Sequence, residues 1–132
     1  LGEVNLIWAR DYLEIPTDVF AVRAETAKKQ PDLVRRFLRA YRKGSQWMLD
    51  NPAKAAELAV KYATDGQDVK RNLEIIKIRN ASTVSEGTKQ HGLGWFDMQV
   101  MQRVVKTYLE LDLLKKPVDV GALFTNRFVE GL

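Results

Sequence analysis

Apolar residues recur at helical spacing through most of this chain, whereas only two short runs are typical of β-strands. The helical patterns lie between Glu25 and Leu114. The two strand-like runs are Val4–Ala9 and Asp18–Arg23, both rich in residues that favour strands. Because two strands make a poor sheet by themselves, we expect a helix-rich α/β fold of two short strands plus four to six helices, with further strands supplied from outside the printed chain.

The expected helix starts carry capping signals. Pro31 and Pro52 stand at first-turn positions, where the missing N–H of proline costs nothing. Aspartates suited to cap a helix precede three further apolar patterns, at Asp68, Asp97 and Asp119. The sequence therefore predicts helix starts at these five points.

The ends of two helices and one loop are also predicted. The third main helix is expected to run to about Asn80 and the fourth to end near Leu114, before Pro117. Residues 81–94 are rich in serine and glycine and have no apolar periodicity, so they are expected to form a loop.

The longest helix is predicted to bury one apolar stripe. Its apolar residues recur three, four and seven positions apart on one face: Val34, Phe37, Leu38, Tyr41 and Met48. Gly44 interrupts this helix at a cost of roughly 1 kcal/mol relative to alanine. We therefore expect another group to pack closely against Gly44.

Composition excludes several classes of protein. The chain has 132 residues, 45% of them hydrophobic, so it can form one domain with a core. It has no cysteine, which excludes a disulfide framework, a thiolate zinc site and a cysteine nucleophile. No run of about 18 apolar residues is present, so no membrane-spanning helix is expected. The formal net charge of +4 is only mildly basic.

The residues offer little for catalysis. His91 is the single histidine, and with Ser82 or Ser85 it could in principle form a nucleophile and base. No motif supports such a pair, so we expect a solvated loop histidine. Glu110 and Asp112 are two positions apart on a helix and do not face each other, so they are poor metal ligands. We predict no catalytic residue and no metal site.

Basic residues follow one face of the longest helix. Arg35, Arg39, Arg42 and Lys43 fall within one angular sector and could together meet a phosphate backbone. A small, basic, helical nucleic-acid-binding protein is therefore one alternative. The commoner explanation of such a face is solvation, and neither a recognition-helix motif nor interleaved tryptophans accompany it.

Trp8 and Tyr12 lie apart from the aromatic residues at core spacing. They stand at the end of the first expected strand and in the polar loop that follows it, beside Asp11, Thr17 and Asp18. Open α/β sheets bind ligands at such strand ends. The cluster therefore predicts either a ligand-binding site or an ordinary polar loop.

Several segments carry a family resemblance through their order and spacing: Ile15–Val22, Gln30–Gly44, Asn51–Ala56, Gly94–Asp97, Leu113–Val120 and Leu123–Phe128. Together they resemble the later half of the substrate-binding proteins of ABC importers. The nearest group is the nitrate, taurine and aliphatic sulfonate branch, which includes the thiamine-pyrimidine-synthesis-like proteins. The resemblance extends from about Val4 to Phe128.

This resemblance implies the C-terminal portion of a two-lobed periplasmic-binding-protein type II fold. Residues 1–18 would be the end of the second lobe and the hinge crossing, and residues 19–132 part of the first lobe and the C-terminal helices. The family's amino-terminal half, which supplies most of the first lobe's sheet, has no counterpart in the printed chain. That difference accounts for the shortage of strands.

The function implied is that of a solute-binding component of an ABC-type importer. It would capture a small anionic or heterocyclic molecule between two lobes and deliver it to a membrane permease, without catalysis and without a cofactor. No nucleic acid is expected as a partner, and the membrane would be met only through the permease. By position rather than by a family motif, the expected contacts to the solute are Trp8, Asp11, Tyr12, Thr17 and Asp18.

The same resemblance implies a location and an alternative. Such receptors are exported to the periplasm or another extracytoplasmic space, yet Leu1–Asn5 lacks the features of a signal peptide. The chain is therefore expected either to be cytosolic or to begin downstream of its natural start. Some relatives are thiamine-pyrimidine-synthesis enzymes that use a pyridoxal cofactor, and their reactive residues would lie in the absent half.

Overall fold

The computed structural model describes Asn5, Ile7, Tyr12, residues 18–64 and residues 68–132. These residues form seven helices: α1 (Ala24–Lys29), α2 (Pro31–Asp50), α3 (Pro52–Tyr62), α4 (Val69–Thr83), α5 (Glu86–His91), α6 (Met98–Glu110) and α7 (Val120–Leu123). The helix-rich character is confirmed. None of the described helices is long and apolar enough to cross a membrane.

The prediction of two strands is not supported. Asp18–Arg23, expected to be the second strand, has no regular secondary structure before α1. A strand is held by hydrogen bonds to a neighbouring strand, and the described residues contain no strand that could supply them. The first expected strand, Val4–Ala9, lies outside the described residues apart from Asn5 and Ile7.

The predicted helix starts are correct. Pro31 and Pro52 occupy first-turn positions of α2 and α3. The Asp68 carboxylate accepts the Lys70 N–H at 3.0 Å at the start of α4. Asp97 and Asp119 cap α6 and α7 in the same way. These caps satisfy N–H groups that have no partner inside their own helix.

The helix ends depart from the predictions. The helix expected to end at about Asn80 is α4, and it continues to Thr83. The helix expected to end near Leu114 is α6, and it ends at Glu110. The cause at α6 is Asp112, whose φ of 58° lies in the left-handed region. The following N–H of Leu113 turns back to the Tyr108 carbonyl at 2.9 Å, which closes the helix end.

The segment expected to be a loop contains α5. Ser85 Oγ accepts the Thr88 N–H at 3.2 Å, and Thr88 Oγ1 accepts the Ser85 N–H at 2.7 Å. This reciprocal pair is a capping box in which threonine replaces the usual glutamate or glutamine. A helix of six residues carries too little apolar periodicity to be predicted from spacing.

The chain divides into two compact units. One consists of Leu1–Ala24 with Phe96–Asn126, and the other of Glu25–Trp95 with Arg127–Leu132. The boundary expected between residues 18 and 19 concerns the lobes of a whole receptor and stays a prediction.

The first unit has a core formed by α6 and α7. Val100, Met101 and Val104 of α6 are buried together with Val120 of α7. The rings of Phe96 and Phe124 pack at its edge in an edge-to-face arrangement, with centroids 5.3 Å apart. The regularly spaced apolar residues of α6 are thus buried because α7 covers them.

The Asn126 side chain joins the two ends of this unit's helical segment. Its Oδ1 accepts the Phe96 N–H at 2.8 Å, and its Nδ2 donates to the Phe96 carbonyl at 2.9 Å. Both bonds are partly buried, so they are shielded from competing water. The pair fixes the backbone directly before the Asp97 cap.

Replacing Asn126 by alanine should lower the free energy of unfolding by about 1–3 kcal/mol, because two backbone groups of Phe96 lose their partner. Urea unfolding monitored by circular dichroism measures this change. Asn126→Asp retains an oxygen acceptor but lacks the N–H donor, so it should also destabilise. A loss under about 0.3 kcal/mol in the alanine variant would contradict this role.

The second unit is built on the packed pair α3 and α4. Ala56 of α3 is fully buried and Ile76 of α4 is 7% exposed. The Asn80 Nδ2 donates to the Met48 carbonyl at 3.3 Å and so connects α4 to α2. Near the end of the chain, Phe128 and Val129 are buried, and Arg127 donates to the Ala27 carbonyl of α1 at 3.2 Å.

The expected buried stripe of α2 is wrong. No residue of α2 is buried, and Phe37 and Tyr41 are 52% and 53% exposed. Periodicity identifies the apolar side of a helix, but burial also needs a neighbour that covers it. Among the described helices, α2 packs mainly against α3. The expected close contact at Gly44 is also wrong, since a Cβ there would meet nothing within 4 Å.

Gly44→Ala should raise the free energy of unfolding by about 0.5–1 kcal/mol, because alanine restricts the unfolded chain and meets open space in the helix. Thermal unfolding measures the gain. Ala40→Gly, an exposed position on the same helix, is the matched control and should lower stability by a similar amount. Destabilisation by Gly44→Ala would show that a group does occupy the space beside Gly44.

Candidate functional site

The structure describes two of the five residues expected to contact a solute. Tyr12 lies in a turn and is 80% exposed, and Asp18 is also exposed. Trp8, Asp11 and Thr17 lie outside the described residues. The described residues therefore do not show the five side chains brought together, and their role in binding stays a prediction.

A groove with basic walls runs beside the polar face of α2. It consists of two adjoining depressions of about 440 and 430 Å³, which share Arg42 and Gln46. The first is lined also by Arg39 and Lys43, and the second by residues of α5 and its ends. We call this feature the basic groove.

Helical spacing places the cations of α2 along this groove. Arg42 and Lys43 lie three and four residues after Arg39, and Gln46 lies four residues after Arg42. All four residues therefore lie on one side of the helix. Arg35 was expected to belong to the same set, but it does not line the groove.

The cations that α2 contributes to the basic groove lack counter-ions, whereas Lys89 of α5 pairs with Glu86 at 2.6 Å. Within the described part of the chain, neither Arg39, Arg42 nor Lys43 forms an ion pair. Asp50 is the single acid among the residues that line it, and its Oδ1 accepts a hydrogen bond from Gln46 Nε2 at 2.9 Å. The groove is therefore electropositive.

Arg42 packs against the end of α5. Gly92 follows α5 with a φ of 88° and donates its N–H to the Thr88 carbonyl at 2.8 Å. A Cβ at this glycine would overlap the Arg42 guanidinium. Glycine is therefore favoured by its positive φ, and a larger residue would also displace the Arg42 guanidinium.

Apolar side chains lie among the charges. Leu49 comes from α2, Val84 precedes α5, and Leu93 follows Gly92. Trp47, which is 41% exposed, lines the first depression. The groove thus offers both cationic donors and apolar surface within a short distance.

The possible pairing of His91 with a serine is not formed. His91 ends α5 rather than lying in a loop, and its ring stacks on Trp95 with centroids 4.2 Å apart. Ser82 Oγ donates to the Ile78 carbonyl at 3.1 Å, and Ser85 Oγ accepts the Thr88 N–H. Among the described residues, both hydroxyls therefore serve helix ends.

The described residues contain no group of three or more histidine, cysteine, aspartate or glutamate side chains that could hold a metal ion. Within the described part of the chain, the basic groove is the candidate site, because several basic and polar side chains line it together.

The sequence predicts one wall of the basic groove but not the other. The spacing of the α2 cations indicates the first wall, whereas the composition of residues 81–94 predicts a loop where Thr88, Lys89 and Gly92 form the second. A glycine after a short polar run is a known signal for a helix end, and it could have indicated α5. Nothing in the sequence indicates that Arg42 reaches this glycine.

Gly92→Ala should lower the free energy of unfolding by about 1–2 kcal/mol, because alanine is strained at positive φ and displaces Arg42. Urea unfolding of Gly92→Ala, Arg42→Ala and the double variant separates the two causes. In the Arg42→Ala background only the backbone strain should remain, so the added loss should be smaller. Equal losses in both backgrounds would mean that Arg42 does not pack on Gly92.

Comparison with known proteins supports the family resemblance. Residues 2–55, which include α1 and α2, match the family described as NMT1/THI5 like. The resemblance to the branch of substrate-binding proteins that includes thiamine-pyrimidine-synthesis-like members is thereby confirmed.

One characterised relative covers more of the chain. The riboflavin-binding protein RibY of Chloroflexus aurantiacus is 33% identical over 131 residues, which are 98% of this chain. The same alignment covers 37% of that protein, so the chain spans a little over a third of the relative's length. No solved structure matches the chain significantly.

Proposed function

We propose that the protein is a solute-binding component of an ABC-type importer and acts outside the cytoplasm. The observation that carries this proposal is the similarity to a riboflavin-binding protein over almost the whole of this chain. The family match over residues 2–55 supports the same class. Capture of the solute would occur between two lobes, followed by delivery to a membrane permease.

Riboflavin is the first solute to test. Its flat tricyclic ring can stack on aromatic side chains, and its hydroxylated chain needs hydrogen-bond partners. Trp8 and Tyr12 could supply the stacking, and Asp11, Thr17 and Asp18 the polar contacts. A flavin fits the heterocyclic class of solute expected from the sequence better than nitrate or an aliphatic sulfonate does, since those have no ring to stack.

The proposed role is binding without conversion. A receptor must bind its solute and then release it. Stacking and hydrogen bonds, which the five proposed contact residues can provide, are reversible and so allow both steps. The thiamine-pyrimidine-synthesis-like enzymes remain the alternative within the same family. Absorbance of a pyridoxal adduct on the purified protein would favour that alternative.

Riboflavin binding can be measured directly with the purified full-length protein. Stacking on an aromatic ring quenches flavin fluorescence, so titration should give a saturable loss of emission. Binding should also raise the melting temperature by several degrees when riboflavin greatly exceeds its Kd. A flat response to riboflavin together with a shift by nitrate, taurine or an alkyl sulfonate would keep the receptor function and overturn the flavin assignment. A flat response to all of them would overturn both.

Trp8→Ala should weaken riboflavin binding roughly tenfold, the equivalent of about 1.4 kcal/mol of lost stacking. Trp47→Ala is the matched control, because it removes the same side chain from the surface of α2. Fluorescence titration of both variants measures the difference. Equal Kd values for Trp8→Ala and the unchanged protein would remove Trp8 from the proposed site.

A further inference from the structure

We propose that the basic groove binds an acidic, partly apolar peptide segment of a partner protein. The inference is independent of the solute, because it rests on α2 and α5 rather than on residues 8–18. Three features of the groove carry it: cations of α2 without counter-ions, an arginine that contacts Gly92, and apolar side chains beside both.

The unpaired cations favour an anionic partner. Arg39, Arg42 and Lys43 span about 6 Å along the helix axis, and like charges at this spacing repel one another. The Asp50 carboxylate offsets them only in part, because it is one negative charge beside three positive charges and, among the described residues, lies in no ion pair. Carboxylates from outside the chain would remove the repulsion.

Arg42 lies between α2 and the end of α5. Its guanidinium contacts Gly92, whose N–H donates to the Thr88 carbonyl at 2.8 Å. The guanidinium offers a planar set of donors that matches a carboxylate. Arg42 is therefore the expected centre of recognition.

The apolar residues distinguish a peptide from other polyanions. Leu49, Val84 and Leu93 line the same depression as Arg42. An apolar side chain between glutamates or aspartates can enter this depression while the carboxylates meet the cations. A phosphate backbone offers no apolar group at that position, and the flat face of a membrane does not fill a groove.

A fluorescein-labelled peptide that alternates pairs of glutamates with single leucines is the probe. Fluorescence anisotropy should show saturable binding that weakens as salt rises, because the ion pairs are exposed. The same peptide with serine in place of leucine should bind more weakly, and one with lysine in place of glutamate should not bind.

Charge reversal on α2 tests the location. Arg42→Glu should raise the peptide's Kd by about tenfold or more. Arg36→Glu makes the same change of charge on the same helix outside the groove, so it should change Kd by less than about twofold. Gly92→Ala leaves the net charge unchanged and should also weaken binding, because it displaces Arg42. Circular dichroism shows that each variant retains its helices.

Several results would overturn the proposal. One is absence of peptide binding to the unchanged protein. Another is an equal loss in Arg36→Glu and Arg42→Glu, which would indicate general attraction by net charge. Tighter binding of oligothymidylate or of phosphatidylglycerol vesicles than of the peptide, lost in Arg42→Glu, would assign the groove to a nucleic acid or to a lipid surface instead.

Discussion

Backbone N–H groups at the starts of α4, α5, α6 and α7 donate hydrogen bonds to capping side chains, and these bonds determine where the four helices begin. Asp68, Asp97 and Asp119 each accept backbone N–H groups at a helix start. Ser85 and Thr88 do the same for α5. The basic groove includes both α5, which this pair begins, and Arg42 of α2, which contacts the glycine at the end of α5.

The predictions succeeded where structure depends on neighbours in sequence. The five helix starts were predicted because a cap acts over two or three residues. The strand predicted at Asp18–Arg23 does not form, because strand propensity has no effect without a paired strand. Phe37 and Tyr41 show the same limit, since their spacing defines an apolar face but not the element that covers it.

The candidate sites show the same difference between features set by neighbours in sequence and features set by distant contacts. The cations of α2 could be recognised from helical spacing, whereas the contact between Arg42 and Gly92 joins residues fifty positions apart and has no signature in either segment. The proposed solute contacts at residues 8–18 came from the type of residue at a strand end and await measurement. The family was recognisable because its segments keep their order along the whole chain.

The bond between Asn126 and Phe96 spans 30 positions, whereas the caps are local. Helical turns form in about a microsecond or less, and closing a longer loop costs additional entropy. During synthesis, α6 emerges from the ribosome well before Asn126 does. The backbone at Phe96 therefore stays without this partner until the residues that follow α7 have been made, so this unit acquires the bond only after α6 has been synthesised.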